Sequence, residues 1–342
     1  MGTFPFILKI MPTILDVAKK AKVSKSTVSR VVSRNGYVNA QTRKKVEAAM
    51  KTLHYTPDFF AQAMRSNKTF TIGVLIPDFT NPYFAECYKR LEERLSIAGY
   101  ISMIGITRNN PEIVYRYINE MTGRKVDALI VWLYHDHPTT IDKLMELSEK
   151  IPVVFMDGFI DLPNANIITS NNYKGIQEAM ELLIRQGKEK IAFIRGDSRY
   201  AVTNERYEAY IDSLKKHKIP FNADYVFEGL YTTKDGYCAA QQFMSLRIKP
   251  DAIMAATDFM ALGALQLLNE KKINVPHKIS LIGFDNILLG ELISPKLSTI
   301  AIPIEKIIDN TCEYIFSAME NNSFPIIKKF IDCELILRET TE

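Results

Sequence analysis

The sequence predicts a small α-helical head of helix-turn-helix type joined to an α/β body of two doubly wound parallel-sheet lobes. Three observations carry that prediction. Basic charge sits at the front: residues 1–68 hold 13 Lys and Arg against 3 Asp and Glu, leaving 30 against 36 in the rest of the 342-residue chain. Apolar side chains recur at helical spacing between residues 13 and 53, in three short segments. From Phe70 onward, apolar runs alternate with amphipathic stretches in two successive series, the pattern of βα units.

In the head, Ile14, Val17, Ala18 and Ala21 line one face of a first helix. Lys22 and Val23 make a tight connection, and Ser24 stands where an N-cap satisfies the free amides of a second helix. In that helix Val28, Val31 and Val32 turn inward, so Lys25, Ser26, Ser29, Arg30 and Ser33 turn outward. Such a face can approach base edges, and its donors suit guanine and phosphate oxygens. A third helix, capped by Asn39 and running to Leu53, buries Val46, Ala49, Met50 and Leu53 and keeps Arg43, Lys44, Lys45 and Lys51 wet. A basic head on a mildly acidic body is the electrostatic footprint of a protein that meets phosphates with its head alone.

The body's first series runs TIGVLIP, a helix over 82–99, YISMIGI, VDALIVWL and PVVFMD. A second follows: helices over 173–187, 204–216, 234–246 and 258–271 interleaved with KIAFIRG, PDAIMAA and ISLIGFD. Ligands of doubly wound sheets sit outside the carboxyl ends of the strands, so the informative residues follow each apolar run. They are Asp78, Asn81, Tyr83, Phe84, Asp157, Tyr200, Arg206, Tyr231, Asp258 and Asp285. Carboxylates and one arginine supply strong directed bonds to hydroxyls, and aromatic plates cover the apolar side of a ring, which suits a sugar. A strand-end Asp also commonly caps the next helix, and a Tyr is commonly core, so each position keeps a purely structural alternative.

Composition narrows the class. Hydrophobic residues at 47% and charged residues at 24% are ordinary globular values. Cys87, Cys238, Cys312 and Cys333 are scattered, with no zinc-ligand spacing, so buried thiols and no metal or other cofactor are expected. The opening MGTFPFILKIMPT lacks the parts of a secretion signal, and Met11 offers a second start. No run reaches a membrane span, so a cytoplasmic protein is expected. Phosphate-binding loops, nucleophile elbows and metalloprotease motifs are absent from the sequence, which argues against an enzyme. His135 and His137 lack a third ligand and read as a wet loop. An exported solute-binding protein would carry a signal peptide in place of a basic head.

DVAKKAKVSKSTVSRVVS, TRKKVEAAM and LHYTPDFFAQAM resemble, in order, the head of the lactose-repressor (LacI/GalR) family of bacterial transcriptional regulators. IPDFTNPYF, ATDFMALGAL, ISLIGFDN, SPKLSTI and LILRETT carry the resemblance through the body, whose two lobes are periplasmic-binding-protein-like. The resemblance implies that Lys25, Ser26 and Arg30 read bases, that Ser24, Thr27, Ser29, Asn39 and Thr42 hold the DNA backbone, and that Tyr37 lies nearby. It implies a hinge over 58–66 that folds in the minor groove, with Met64, where leucine is usual, as the wedge and Ala61 one turn earlier on the same face. Methionine is an acceptable wedge; alternatively Phe59, Phe60, Ala63 and Met64 dock a linker helix onto the body. It puts Tyr83, Phe84, Asp157, Arg206, Tyr231 and Asp285 in an effector cleft.

The implied protein is a repressor that binds near-palindromic operator DNA as a homodimer under control of a small effector, with a sugar expected. A purine or a protein co-effector is the alternative. Purine-binding members have polar groups where this chain has Tyr200 and Val202, and an aromatic where it has Gly158. Expected boundaries are a head over 11–57, a hinge over 58–69 and an effector and dimerisation domain over 70–342. Its N-lobe takes 70–170 and 302–330, and its C-lobe 171–301 and 331–342.

Overall fold

Helices α1 (Ile14–Ala21), α2 (Lys25–Ser33) and α3 (Ala40–Leu53) form the head in a computed structural model that describes residues 12–33, 36–56, 68–132, 137–156 and 162–341. The chain divides into two units, Met1–Thr69 and Phe70–Glu342. Ala61 and Met64, with the rest of the 58–66 hinge, lie outside the described residues, as do Asp157, Gly158 and His135.

The head closes on Val17, Val28 and Val46, all fully buried, with Ala18, Ala21, Val31 and Ala49 around them. Its helices are delimited by side-chain chemistry. Thr13 and Asp16 form a capping box at α1, Ser24 Oγ accepts the Thr27 amide at 3.1 Å to start α2, and Asn39 Oδ1 accepts the Gln41 amide at 2.8 Å to start α3. Lys22, in the left-handed region at φ 55°, turns the chain between the first two helices.

In the body, β1 (Thr71–Ile76), β2 (Ile101–Ile106), β3 (Ala128–Val131), β4 (Val153–Phe155) and β5 (Asn166–Asn171) form a parallel sheet with β11 (Lys328–Asp332), in the order β11-β5-β4-β3-β1-β2. The second sheet has the order β12-β10-β9-β8-β6-β7. It comprises β6 (Ile191–Arg195), β7 (Val226–Glu228), β8 (Ala252–Ala255), β9 (Ser280–Asp285), β10 (Ser298–Ala301) and β12 (Glu334–Ile336). One pairing departs from the all-parallel expectation: β12 runs antiparallel to β10. The strands β3, β4 and β8 are apolar throughout, and β1 and β9 apart from Thr71, Ser280 and Asp285 at their ends, because helices cover both faces; their side chains are buried along almost their whole length.

The chain passes between the sheets three times: after β5 into the Asn172–Arg185 helix, after β10 into the Ile304–Asn321 helix, and between β11 and β12 at Cys333. The last crossing corrects the boundary expected at 330–331, because β11 stays paired with β5 through Asp332. In each sheet the strand order reverses beside the first strand of its series, β1 or β6. Those are the switch points where a crevice opens at the carboxyl ends.

Candidate nucleic-acid interface and ligand cleft

On α2 the three-valine stripe fixes which side is wet. Val28 is fully buried and Val31 nearly so, leaving Lys25, Ser26 and Arg30 exposed and Ser29 and Thr27 half-buried. Ser24 Oγ lies 2.7 Å from Ser26 Oγ and 2.8 Å from Thr27 Oγ1, so the three hydroxyls form one cluster at the helix start. Gly36, at φ 86°, lets the loop after α2 run close under Arg30, whose Cδ is 3.6 Å from where a Cβ would stand. Tyr37 is 91% exposed, Asn39 is exposed as the α3 cap, and Thr42 is half-buried one turn on. Ser33 closes α2.

The cleft is a cavity of about 310 Å³ lined from both series of strands. From the first come Asp78, Asn81, Tyr83 and Phe84. Asp78 Oδ1 accepts the Thr80 and Asn81 amides at 2.6 and 3.3 Å, and Asn81 caps the Pro82–Ile97 helix through the Tyr83 amide at 3.0 Å. Both therefore serve the turn as well as the cavity wall. Tyr83 and Phe84 are almost wholly buried and meet edge to face at 5.2 Å.

From the second series come Val202, Arg206, Tyr231 and Asp285. Arg206 is 4% exposed and held on three sides. Asn172 Oδ1 accepts from its Nε at 3.0 Å and Nη2 at 2.8 Å, Ala256 O accepts from Nη1 at 2.6 Å, and the Phe284 ring lies 3.7 Å beneath the guanidinium. Tyr231 donates to or accepts from Thr203 Oγ1, and burial pushes its phenol up to about 12, so it stays protonated. A Cβ on Gly196 would collide with the Tyr231 ring, so only glycine admits the ring in this position. Tyr231 at φ 66° and Asp285 at φ 114° both occupy backbone regions that bulky L-residues avoid, a strain that clusters at binding sites.

Two expected cleft residues are placed elsewhere. Asp258 does not line the cavity. It is fully buried beneath the β9 end, where its carboxylate accepts from the Thr299 hydroxyl at 2.6 Å and the Ile287 amide at 2.9 Å. Burial raises its pKa to about 7 despite those two bonds. Its work is to brace the loop that carries Asp285. Tyr200 stands outside the cavity on an adjoining groove, stacked on Tyr231 at 6.3 Å. Sequence reasoning missed Asn172, which orients Arg206, as well as the cavity residues Asn109, Thr257 and Phe259. Asn172 follows β5, a strand the polar end of NIITSN concealed.

Comparison with known proteins extends this geometry. A model of bacterial regulatory proteins of the lacI family matches residues 13–58, and a periplasmic binding protein-like domain matches residues 180–341. The HTH-type transcriptional repressor PurR of Histophilus somni (strain 2336) is 33% identical over 290 residues, covering 85% of this chain and 87% of that protein. The chain belongs to the lacI family. The PurR repressor of Mannheimia succiniciproducens is 29% identical over 332 residues, 97% and 99% of the two chains. Among solved structures, the lac repressor dimer bound to operator and the anti-inducer ONPF superposes with a TM-score of 0.87 at 25% identity, over 96% and 99%. The transcriptional regulator CelR with cellobiose shares the fold at a TM-score of 0.73 and 24% identity, over 96% and 99%. As a lacI-family member the chain is an effector-controlled, DNA-binding transcriptional repressor and not an enzyme. No helix among the described residues is long and apolar enough to cross a membrane.

Proposed function

We propose that this repressor answers to a sugar or sugar derivative held between its lobes. The observation that carries the reading is the cavity wall: the Asp78 and Asp285 carboxylates and a fixed Arg206 guanidinium, set among the Tyr83, Phe84 and Tyr231 rings. Carboxylates and guanidinium bind vicinal hydroxyls directionally while rings cover C–H faces. Asp157 joins the set from its sequence position. Asp258 and Tyr200 act behind and beside it.

At the DNA, Lys25, Ser26 and Arg30 meet base edges, with Ser33 at the end of the same face. Ser24, Thr27, Ser29, Asn39 and Thr42 hold phosphates beside Tyr37, and Ala61 and Met64 form the minor-groove wedge of the 58–69 hinge. Two copies share a near-palindromic operator, since one short recognition helix reads too few base pairs. Exposed Leu288 and Leu292, at 68% and 71%, supply apolar surface that suits a second copy of the chain. The site of action is the cytoplasm, where the chromosome lies.

The second reading, a purine effector, is favoured by the likeness to repressors named PurR. Against it, Val202 gives the cavity an apolar wall where a purine edge needs polar partners. The test is a gel shift on a near-palindromic duplex enriched by the protein from random DNA, titrated with hexoses, hexose phosphates, disaccharides and purine bases. A change in affinity produced by a sugar supports the proposal; a response to purine bases alone replaces it with the second reading.

A further inference from the structure

The effector cavity continues into a second groove of about 400 Å³, sharing Asn109, Leu230 and Tyr231 with it. The two spaces differ in charge. The cavity presents the Asp78 and Asp285 carboxylates against the single Arg206 guanidinium, whose own partners, Asn172 and the Ala256 carbonyl, are neutral. The groove presents Arg108 from the loop after β2 and Arg199 from the loop after β6, so one arginine comes from each series of strands.

Arg108 is exposed and has no carboxylate partner among the described residues. Its loop is built to hold it there. Arg108 and Asn109 both sit at φ 53°, a costly pair for non-glycine residues, and are held by Arg108 N donating to Pro77 O at 2.8 Å and by Thr107 Oγ1 donating to Ile76 O at 3.1 Å. Arg199 is ion-paired with the Asp197 carboxylate through Nε, at 2.9 Å from each oxygen, and through Nη2, leaving its side chain 76% exposed with the guanidinium 6.0 Å from the centre of the Tyr200 ring. An anionic group thus meets two carboxylates against one guanidinium in the cavity, and in the groove the Arg108 guanidinium together with the exposed face of the Asp197-paired Arg199. A dianion with several acceptor oxygens could be shared by arginines from opposite sides.

Resting on the sugar reading of the cleft, we propose that the effector is a phosphorylated sugar, its ring in the cavity and its phosphate in the groove against Arg108 and Arg199. A charge-assisted bond to guanidinium corresponds to roughly a tenfold or larger gain in affinity.

The experiment is calorimetry on the full-length protein with glucose, fructose and mannose, their 6-phosphates, and the neutral disaccharides maltose and cellobiose. Wild type is compared with Arg108→Gln and Arg206→Ala, each checked for folding by circular dichroism. The expected result is one 6-phosphate binding at least about tenfold tighter than its parent, a gain lost in Arg108→Gln, weakened by salt, and abolished with all sugar binding in Arg206→Ala. Neutral sugars binding as tightly as every phosphate, or a phosphate affinity indifferent to Arg108→Gln, overturns the groove assignment. The cleft reading then stands if Arg206→Ala abolishes the neutral binding, and falls if it does not. Phosphate binding that survives Arg206→Ala overturns the proposal as an adventitious surface contact. Silence from every probe overturns it too, leaving the cleft to the gel-shift titration.

Discussion

Arg30 and Asp258 define two kinds of residue in this protein, one whose chemistry faces outward and one whose chemistry is spent internally. Arg30 leaves α2 on its wet face with its stem over Gly36. Arg30→Ala is expected to weaken operator binding by roughly 1–3 kcal/mol and relax preference at one base position, with little change on random DNA. Equal losses on both, in a quantitative gel shift, would mean that the side chain touches phosphate only. Asp258, with a folded pKa of about 7 against an ordinary value of 3.8, binds a proton more readily folded than unfolded. Its contribution to stability is therefore fully present below pH 4 and is lost as pH rises through 7. Asp258→Asn resembles the protonated acid and can still serve the Thr299 hydroxyl and the Ile287 amide. Its melting temperature is expected to fall less than that of wild type between pH 5.5 and 8; an identical fall in both proteins would show that Asp258 is not the group responsible. The strand-end rule located Asp285 because it needs only the end of an apolar run, while Arg206, inside the Ala201–Lys216 helix beyond β6, rests on the family resemblance. The rule failed at Asp258 because backbone geometry decides whether a strand-end carboxylate faces the crevice or turns back, and φ is not written in residue type.

Among the elements, the helices of the head were legible to within a residue or two, since caps and a valine stripe mark them in the sequence. The long apolar strands were legible too, whereas β5, equally long and buried, was hidden by its polar end. Three of the four edge strands were not legible: β7 and β12 have three residues each, and β11 reads KKFID with four of its five residues exposed, so no apolar run announces them. Their pairing is set by neighbouring strands that sequence periodicity cannot see. The hinge is the element on which DNA affinity should turn. Met64→Ala is expected to weaken operator binding through loss of the apolar wedge while leaving effector affinity, measured by calorimetry without DNA, unchanged. A variant with full operator affinity would favour the reading in which this segment only packs.

At the scale of the molecule, the cavity draws its walls from both series of strands, so a ligand can bias their closure. A coupling of roughly 1–3 kcal/mol between effector and DNA is typical of such an arrangement. Arg206→Ala and Asp285→Ala should each abolish the effector's influence on operator affinity, with effector-free affinity nearly intact in variants that retain wild-type circular dichroism. A normal response in both would mean that control enters through another surface. The three crossings between sheets also impose an order in time. The head needs nothing beyond its own residues to close its valine core, but β11 and β12, one edge strand of each sheet, come from residues 328–336. At the usual roughly 5–20 residues per second of synthesis, tens of seconds separate emergence of the head from completion of the sheets. A ribosome that stalls in that interval carries a basic, foldable head with no finished sensor behind it, so messages cut short inside the body would yield fragments that touch DNA but cannot answer an effector.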